Sequence, residues 1–405
     1  MYKIGIIREG KVPPDARTPL TPEQCSEILH RFPVEILVEP SDIRCYKNTE
    51  YQERGIPMSD DLRNCDILIG VKEVPIDKLV AEKTYLFFSH TIKKQAQNRR
   101  LLQATLEKHI RLIDFEKLTD DRGDRLIAFG FYAGLVGTHN ALWTYGRRSG
   151  AYTLPRMHAC HDYSEVQATY KNVNLPPLRI VLTGGGRVAA GAVRNLHDFG
   201  IHQVSPKDFL SKDFDHPVFT QLFAQDYVQH RDGPRIFDKE HFYAHGEEYL
   251  SIFAPYAHRA DIFINGIYYD RRAPKFFTTE ELADPGFNVQ VIADVSCDIG
   301  PDASIPVTLR PSTIVNPVYG IDRNTGLECP PFQANAVDVM AIDNLPSELP
   351  RDASQFFGRQ LIDNILPELL HEHDSAIITR ALITENGRLT APYTYLSDYV
   401  AAGVL

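Results

Sequence analysis

The chain has 405 residues, 43% of them hydrophobic and 24% charged, the composition of a globular protein with room for two or three domains. Asp and Glu number 53 against 43 for Lys and Arg, and the formal charge of −10 argues against nucleic acid as a partner. Six cysteines (Cys25, Cys45, Cys65, Cys160, Cys297 and Cys329) form no C-x-x-C pair and no metal spacing; they read as reduced thiols of a cytoplasmic protein with no bound metal.

The apolar, β-branched run Lys3–Glu9 reads as a first strand and lacks the layout of a signal peptide. Thr21-Pro22-Glu23-Gln24 is a capping box with proline at the first helical position, opening a helix through His30. Further strands are expected at 34–40, 66–73, 83–90 and 110–118, with a helix over 93–109. This alternation predicts a mostly parallel sheet covered on both faces. From Leu126 to Gly146 there is no Asp, Glu, Lys or Arg, but the strongly apolar part stops at Gly137 and Thr138, His139 and Asn140 follow. A membrane-spanning helix needs about 20 predominantly apolar residues, so this is a buried helix and no membrane contact is expected.

The proline-containing segment 170–177 breaks the chain, and a fresh strand, glycine turn and helix run from Leu178 to Gly200. Strands are expected at 260–266 and 289–298; the aromatic, charged segment 206–258 before them has no assignable structure. After Asn335 the pattern is helical, notably over 347–373. The fold class is α/β, with two Rossmann-like, doubly wound parallel-sheet domains. Residues 1–133 plus 336–405 form a discontinuous substrate domain, and 134–335 a dinucleotide-binding domain. The uncharged helix and the segment after Asn335 would be the two crossings. Oligomeric state is not readable.

The glycine turn, Thr183-Gly184-Gly185-Gly186-Arg187-Val188-Ala189, fits G-x-G-x-x-G/A through Gly184, Gly186 and Ala189. The first glycine permits the tight turn, the second lets a pyrophosphate approach, and the small third residue lets helix and strand pack closely. A glycine-rich turn can be no more than a turn; between a strand and a helix it reads as an NAD or NADP site. An acidic residue about 20 positions on would favour NAD. Ser205 stands where the next strand should end, with Lys207 and Asp208 behind it. Serine beside lysine tilts the reading toward NADP, and Asp208 would tilt it back.

Open α/β sheets bind ligands beyond the carboxyl ends of their strands. Here those ends carry Arg8 and Glu9, then Lys72 and Glu73, then His90, then Glu116, with Arg17 in the first loop and Arg125 before the uncharged helix. Any one such charge is ordinarily just solvated. Five charged loops facing a nucleotide domain make a site suited to proton transfer beside a hydride: a desolvated lysine and a histidine both work near neutral pH, and arginines hold carboxylates. Lys72 is read as the group that moves a proton on an amine or imine. His158, Cys160 and His161, and His241, His245 and His258, match no metal spacing and read as packed or surface groups.

These segments also carry a family likeness. DARTPLTP (15–22), ILIGVKEVP (67–75), FFSHTIKKQ (87–95), LIDFEKLTDDRGDRLIAFGFYAG (112–134), FINGIYYDRRAPKFFT (263–278), AIDNLPSELPRDASQFFG (341–358) and ITENGRLTAPYTYL (383–396) resemble lysine-forming saccharopine dehydrogenases. They are most similar to the lysine–2-oxoglutarate reductase domain of the bifunctional lysine-degrading enzyme, with alanine dehydrogenase and transhydrogenase as broader relatives. The resemblance implies an active site in the cleft between two Rossmann-like domains and the reversible condensation of lysine with 2-oxoglutarate to give saccharopine. It implies Lys72 and His90 as acid–base groups, Arg17, Glu73, Lys93, Glu116 and Arg125 as substrate contacts, and Asp343 near the nicotinamide. The yeast-type, NAD-using members carry aspartate where Ser205 stands here and cysteine where Arg187 stands, and lack the long 206–258 insertion. An alanine-type dehydrogenase releasing ammonia is the alternative, favoured less because a substrate with three carboxylates needs the cations Arg17, Lys93 and Arg125. A nucleotide-binding module without catalysis ranks below both.

Overall fold

The computed structural model describes residues 1–371 and 375–402. They fall into two compact units, Met1–Phe129 with the chain from Pro350 onward, and Gly130–Leu349. In the first unit β1 (Tyr2–Ile6), β2 (Val34–Val38), β3 (Ile67–Ile69), β4 (Thr84–Phe87) and β5 (Arg111–Asp114) form a parallel sheet in the order 5-4-3-1-2. An antiparallel hairpin, Leu382–Glu385 with Arg388–Leu389, extends it beyond β5. Strand residues alternate between two apolar cores, as a sheet covered on both faces requires. Ile67, Ile69, Leu86 and Ile113 meet α1 (Pro22–Arg31) and the helical tail on one side, while Leu68, Tyr85, Phe87 and Leu112 meet α2 (Arg99–Glu107) on the other. The capping box at α1 forms as expected: Gln24 N–H donates to Thr21 Oγ1 at 3.2 Å and Thr21 N–H to Gln24 Oε1 at 3.0 Å.

Two strands are shorter than their apolar runs. β3 ends at Ile69: Gly70 N–H still donates to Leu86 O at 3.0 Å, but the amides of Val71 and Lys72 leave the ladder for a side chain of β1's loop, described below. β5 ends at Asp114, whose carboxylate turns the chain into a 3-10 turn at Phe115–Lys117. The helical tail begins at Pro350 and continues through a π turn to Leu369; of the helix expected to 373, residues 372 and 373 lie outside the described residues.

In the second unit α3 (Gly130–Ser149) precedes a sheet built from β6 (Arg179–Thr183), β7 (His202–Gln203), β8 (Val218–Leu222), β9 (Ile262–Asn265), β10 (Val291–Asp294) and β11 (Ala336–Met340). They are parallel in the order 7-8-6-9-10-11, with an antiparallel arm, Tyr319–Asp322 and Glu328–Cys329, beyond β11. Residues 336–349 therefore lie in this unit and not with the returning tail, since β11 is a buried strand paired to β10. α3 packs against α4 (Arg187–Asp198) at a crossing so close that a Cβ at Gly134 would stand 1.8 Å from the Val188 carbonyl oxygen, and one at Gly191 1.8 Å from that of Phe131. The segment 206–258 supplies β8 and packs Phe209, Tyr227, Phe242 and Phe253 over the second face of the sheet. Among the described residues no helix is long and apolar enough to cross a membrane, and no three His, Cys, Asp or Glu side chains group as a metal site.

Candidate active site

Strand order in the first sheet reverses between β1 and β3, and loops beyond such a point leave a crevice for ligands. Glu9, in the loop after β1, reaches across it: its carboxylate accepts from Val71 N–H at 2.6 Å and Lys72 N–H at 2.8 Å. This is where the amides beyond β3 go. A second carboxylate does the same one strand over. Buried Asp114 accepts from Ser89 N–H at 3.1 Å, from the Ser89 hydroxyl, and from Glu116 N–H at 2.7 Å, tying the loop that carries His90 to the loop that carries Glu116.

The chemistry-bearing side chains hang from these tethered loops. His90 Nδ1 lies 2.5 Å from Glu73 Oε1, leaving Nε2 as its outward nitrogen, and Lys11 Nζ is 3.5 Å from Glu73 Oε2. Burial pushes the Glu73 carboxyl up, but the hydrogen bond and charge of His90, with Lys11, outweigh it and hold it down at about 2. His90 sits at φ +52°, a left-handed conformation that costs a non-glycine residue about 1–2 kcal/mol. Stacking on Phe88 and a 3.2 Å bond from Asn98 Nδ2 to its carbonyl hold it there. Lys72 is brought from the usual lysine range down to about 8, by burial first and then by the charges of Arg17 and Lys11, against Asp15 and Glu73. Glu9 is pushed up to about 7, chiefly by burial.

Arg17 is buried, with Nε 3.0 Å and Nη2 2.6 Å from the two Asp15 oxygens and its guanidinium 4.3 Å over the Phe129 ring. Arg125 lies 3.8 Å from Glu116, whose other carboxylate oxygen is buried without a hydrogen-bond partner among the described residues. Lys93 is exposed on the turn after His90. The structure thus brings Lys72, Glu73 and His90 onto adjacent strand ends and pairs Glu116 with Arg125. Reading the sequence missed Lys11, Asp15 and Asp114 and gave Glu9 no role. Asp114 had no visible signal, as the last residue of an ordinary apolar strand, RLID.

In the second unit the order reverses between β6 and β9. Gly184 follows β6 at φ +109°, and a Cβ there would stand 2.7 Å from the Gly266 carbonyl oxygen. Gly186 caps α4 and faces open space, and Ala189 is fully buried behind it. The turn therefore fits a pyrophosphate at a helix N-terminus. Gly184 and Gly186 line a cavity of about 680 Å³. Val188 packs toward Gly266, Arg187 is exposed on the first turn of α4, and Asp343 is exposed three residues beyond β11.

Ser205 does not stand where a cofactor ribose would be read. The strand beside β6 is β8, from the insertion, and β7 is displaced outward to the sheet edge. Ser205 instead caps the helix Pro206–Ser211, its hydroxyl accepting from Asp208 N–H at 3.1 Å. The end of β8 is what adjoins the glycine turn: Gly184 N–H donates to Leu222 O at 3.0 Å, and a Cβ on Gly185 would meet the Phe223 ring at 2.7 Å. The NADP inference drawn from Ser205 therefore loses its basis.

Residues 5–136 match the family described as alanine dehydrogenase/PNT, N-terminal domain. Over 97% of its length the chain is 32% identical to alpha-aminoadipic semialdehyde synthase of Arabidopsis thaliana, of which it covers 41%. It is 30% identical over 94% to the mitochondrial enzyme of that name from Rattus norvegicus, of which it covers 46%. It thus spans less than half the length of these relatives. Saccharopine dehydrogenase [NAD(+), L-lysine-forming] of Emericella nidulans is 29% identical, over 90% of this chain and 91% of its own. An L-alanine dehydrogenase structure shares the fold at TM-score 0.66 and 16% identity, covering 98% of this chain and 100% of that one. The transhydrogenase of Sinorhizobium meliloti does so at 0.59 and 13%, covering 96% and 100%. The chain is thus similar over nearly its whole length to the alpha-aminoadipic semialdehyde synthases and the lysine-forming saccharopine dehydrogenases, and over residues 5–136 to the alanine dehydrogenase/PNT N-terminal domain.

Proposed function

We propose that this chain is a nicotinamide-dependent oxidoreductase acting on a CH–NH bond, interconverting saccharopine with lysine and 2-oxoglutarate. The observation that carries this reading is Lys72, with its proton affinity lowered to about 8, beside the Glu73–His90 pair at the strand-order reversal of the first sheet. The printed names of the relatives support the substrate assignment. A nicotinamide cofactor bound at the Gly184–Ala189 turn would give or take the hydride. Lys72 and His90 handle the protons: one takes a proton from the amine as it adds to the keto group, and the other protonates the departing hydroxyl so that water leaves and an imine forms. Glu73 holds His90 by Nδ1 and directs Nε2 outward. Arg17, Lys93 and Arg125 supply the positive charge that three substrate carboxylates require, and Arg17, with two nitrogens on Asp15, also lowers the proton affinity of Lys72 through its field. Asp343, exposed three residues beyond β11, would be the residue toward the nicotinamide. A reducing compartment such as the cytoplasm belongs to the same reading, supported by six cysteines carried as thiols.

The test follows NADPH or NADH absorbance with lysine plus 2-oxoglutarate, and with pyruvate plus ammonium. Oxidation only with the first pair is expected. Oxidation only with pyruvate and ammonium would make this an alanine-type dehydrogenase, the second reading, which the match of residues 5–136 to the alanine dehydrogenase/PNT N-terminal domain supports.

A further inference from the structure

We propose that Lys239, carried by the 206–258 insertion, reads the 2′ position of the cofactor's adenosine ribose and makes the pocket select a 2′-phosphate. The proposal rests on the dinucleotide reading of the glycine turn and names the residue that sets its specificity. In a sheet of this kind the ribose is read from the end of the strand beside the glycine-turn strand, where a carboxylate would bond the free 2′-hydroxyl. Here that strand is β8, which ends at Leu222 and runs into Phe223, neither of which can bond a diol. The nearest acid, Asp226, turns back: its carboxylate accepts from Phe223 N–H at 2.8 Å and caps the short helix Ala224–Tyr227.

The cavity that starts at Gly184, Gly185 and Gly186 continues along Phe223 and Gln225 into the insertion, where Lys239 and Tyr243 line it. Among the described residues lining it, Lys239 is the one lysine or arginine. The one acid, Asp270, has both oxygens on Arg272, at 3.0 and 2.7 Å. Lys239 opens a short helix, and its Nζ lies 5.6 Å from the Tyr243 ring centre, an approach that steadies the ammonium at the cavity wall. Asp238, beside it, is occupied by the Glu240 and His241 amides at 2.9 and 3.1 Å. A 2′-phosphate carries about −1.5 to −2 charge at pH 7. It would meet a lysine and no uncommitted carboxylate, and the Phe223 and Tyr243 rings offer the adenine apolar faces.

Titration calorimetry on the full chain with adenosine 2′,5′-bisphosphate and with 5′-AMP tests this without turnover. The wild type is expected to bind the bisphosphate about tenfold or more tightly, K239A to fall within about threefold of parity with AMP affinity unchanged, and K239R to keep the preference. Equal affinities in the wild type, or an undiminished preference in K239A, would overturn the proposal while leaving the dinucleotide site intact. Failure of both probes, and of NADH and NADPH, to bind would remove the dinucleotide reading and this inference with it.

Discussion

Glu9 and Asp114 make no obvious claim on substrate, yet each holds the backbone of a loop that carries one of the proposed acid–base groups, Lys72 and His90. For Glu9 a pH dependence follows. Its folded pKa of about 7 exceeds the unfolded carboxylate value, so the folded state binds the extra proton. The stability this contributes is full below about 4.5 and is lost as pH rises through about 7. Glu9→Gln should flatten that decline, seen as a smaller fall in Tm between pH 5 and 8; an unchanged slope would show that Glu9 is not the titrating group. If the proposed roles hold, Lys72→Met and His90→Gln should each cut turnover about 10²-fold or more, and near-normal rates in both would remove the mechanism. Activity in the direction where Lys72 accepts a proton should rise with pH through about 8 and fall in the reverse direction. The placement of Lys72, Glu73, His90 and Glu116 just beyond strands was legible in the sequence because charges close several apolar runs in succession. The carboxylates that tether them were not, because a hydrogen bond that Glu9 accepts from an amide 62 residues away leaves no local trace.

Among the elements, α3 and α4 meet through two glycines, and this contact positions the helix whose first turn would face the pyrophosphate. Gly191→Ala should cost about 1–3 kcal/mol of stability through overpacking, read as a lowered Tm with helix content retained. The insertion's strand explains a failure of sequence reading. Counting along the chain from the glycine turn arrives at Ser205 on the assumption that the next strand in sequence is the next in space. β8 breaks that assumption, and its run VFTQL gives no warning, since any short β-branched or aromatic stretch could pair anywhere. Ser205→Asp should accordingly leave the NADH-to-NADPH preference where it was, measured as the ratio of Kd values. Ser205→Ala should cost about 1 kcal/mol as a lost helix cap.

Taken as a whole, the chain is one continuous unit inserted into a discontinuous one. Every strand of the second sheet and both of its apolar cores lie within Gly130–Leu349. That fragment expressed alone should therefore unfold cooperatively and bind the bisphosphate probe, which calorimetry would show. The first unit depends on chain from both ends, because the tail adds Phe357 and Leu361 to the core that holds Ile4 and Ile6 and pairs Leu382–Glu385 with β5. The alternation of strand and helix made the two-sheet plan readable, whereas the return point was not, since β11 follows a break at Asn335 that looks like a boundary. The carboxylate tethers also set a timescale. The amides of Val71, Lys72, Ser89 and Glu116 lie outside the regular strands, where hydrogen would ordinarily exchange with solvent quickly, yet each is bonded to a carboxylate. They should exchange with deuterium nearly as slowly as the strands themselves, so that an exchange map would show the candidate active site as a patch of protected loop.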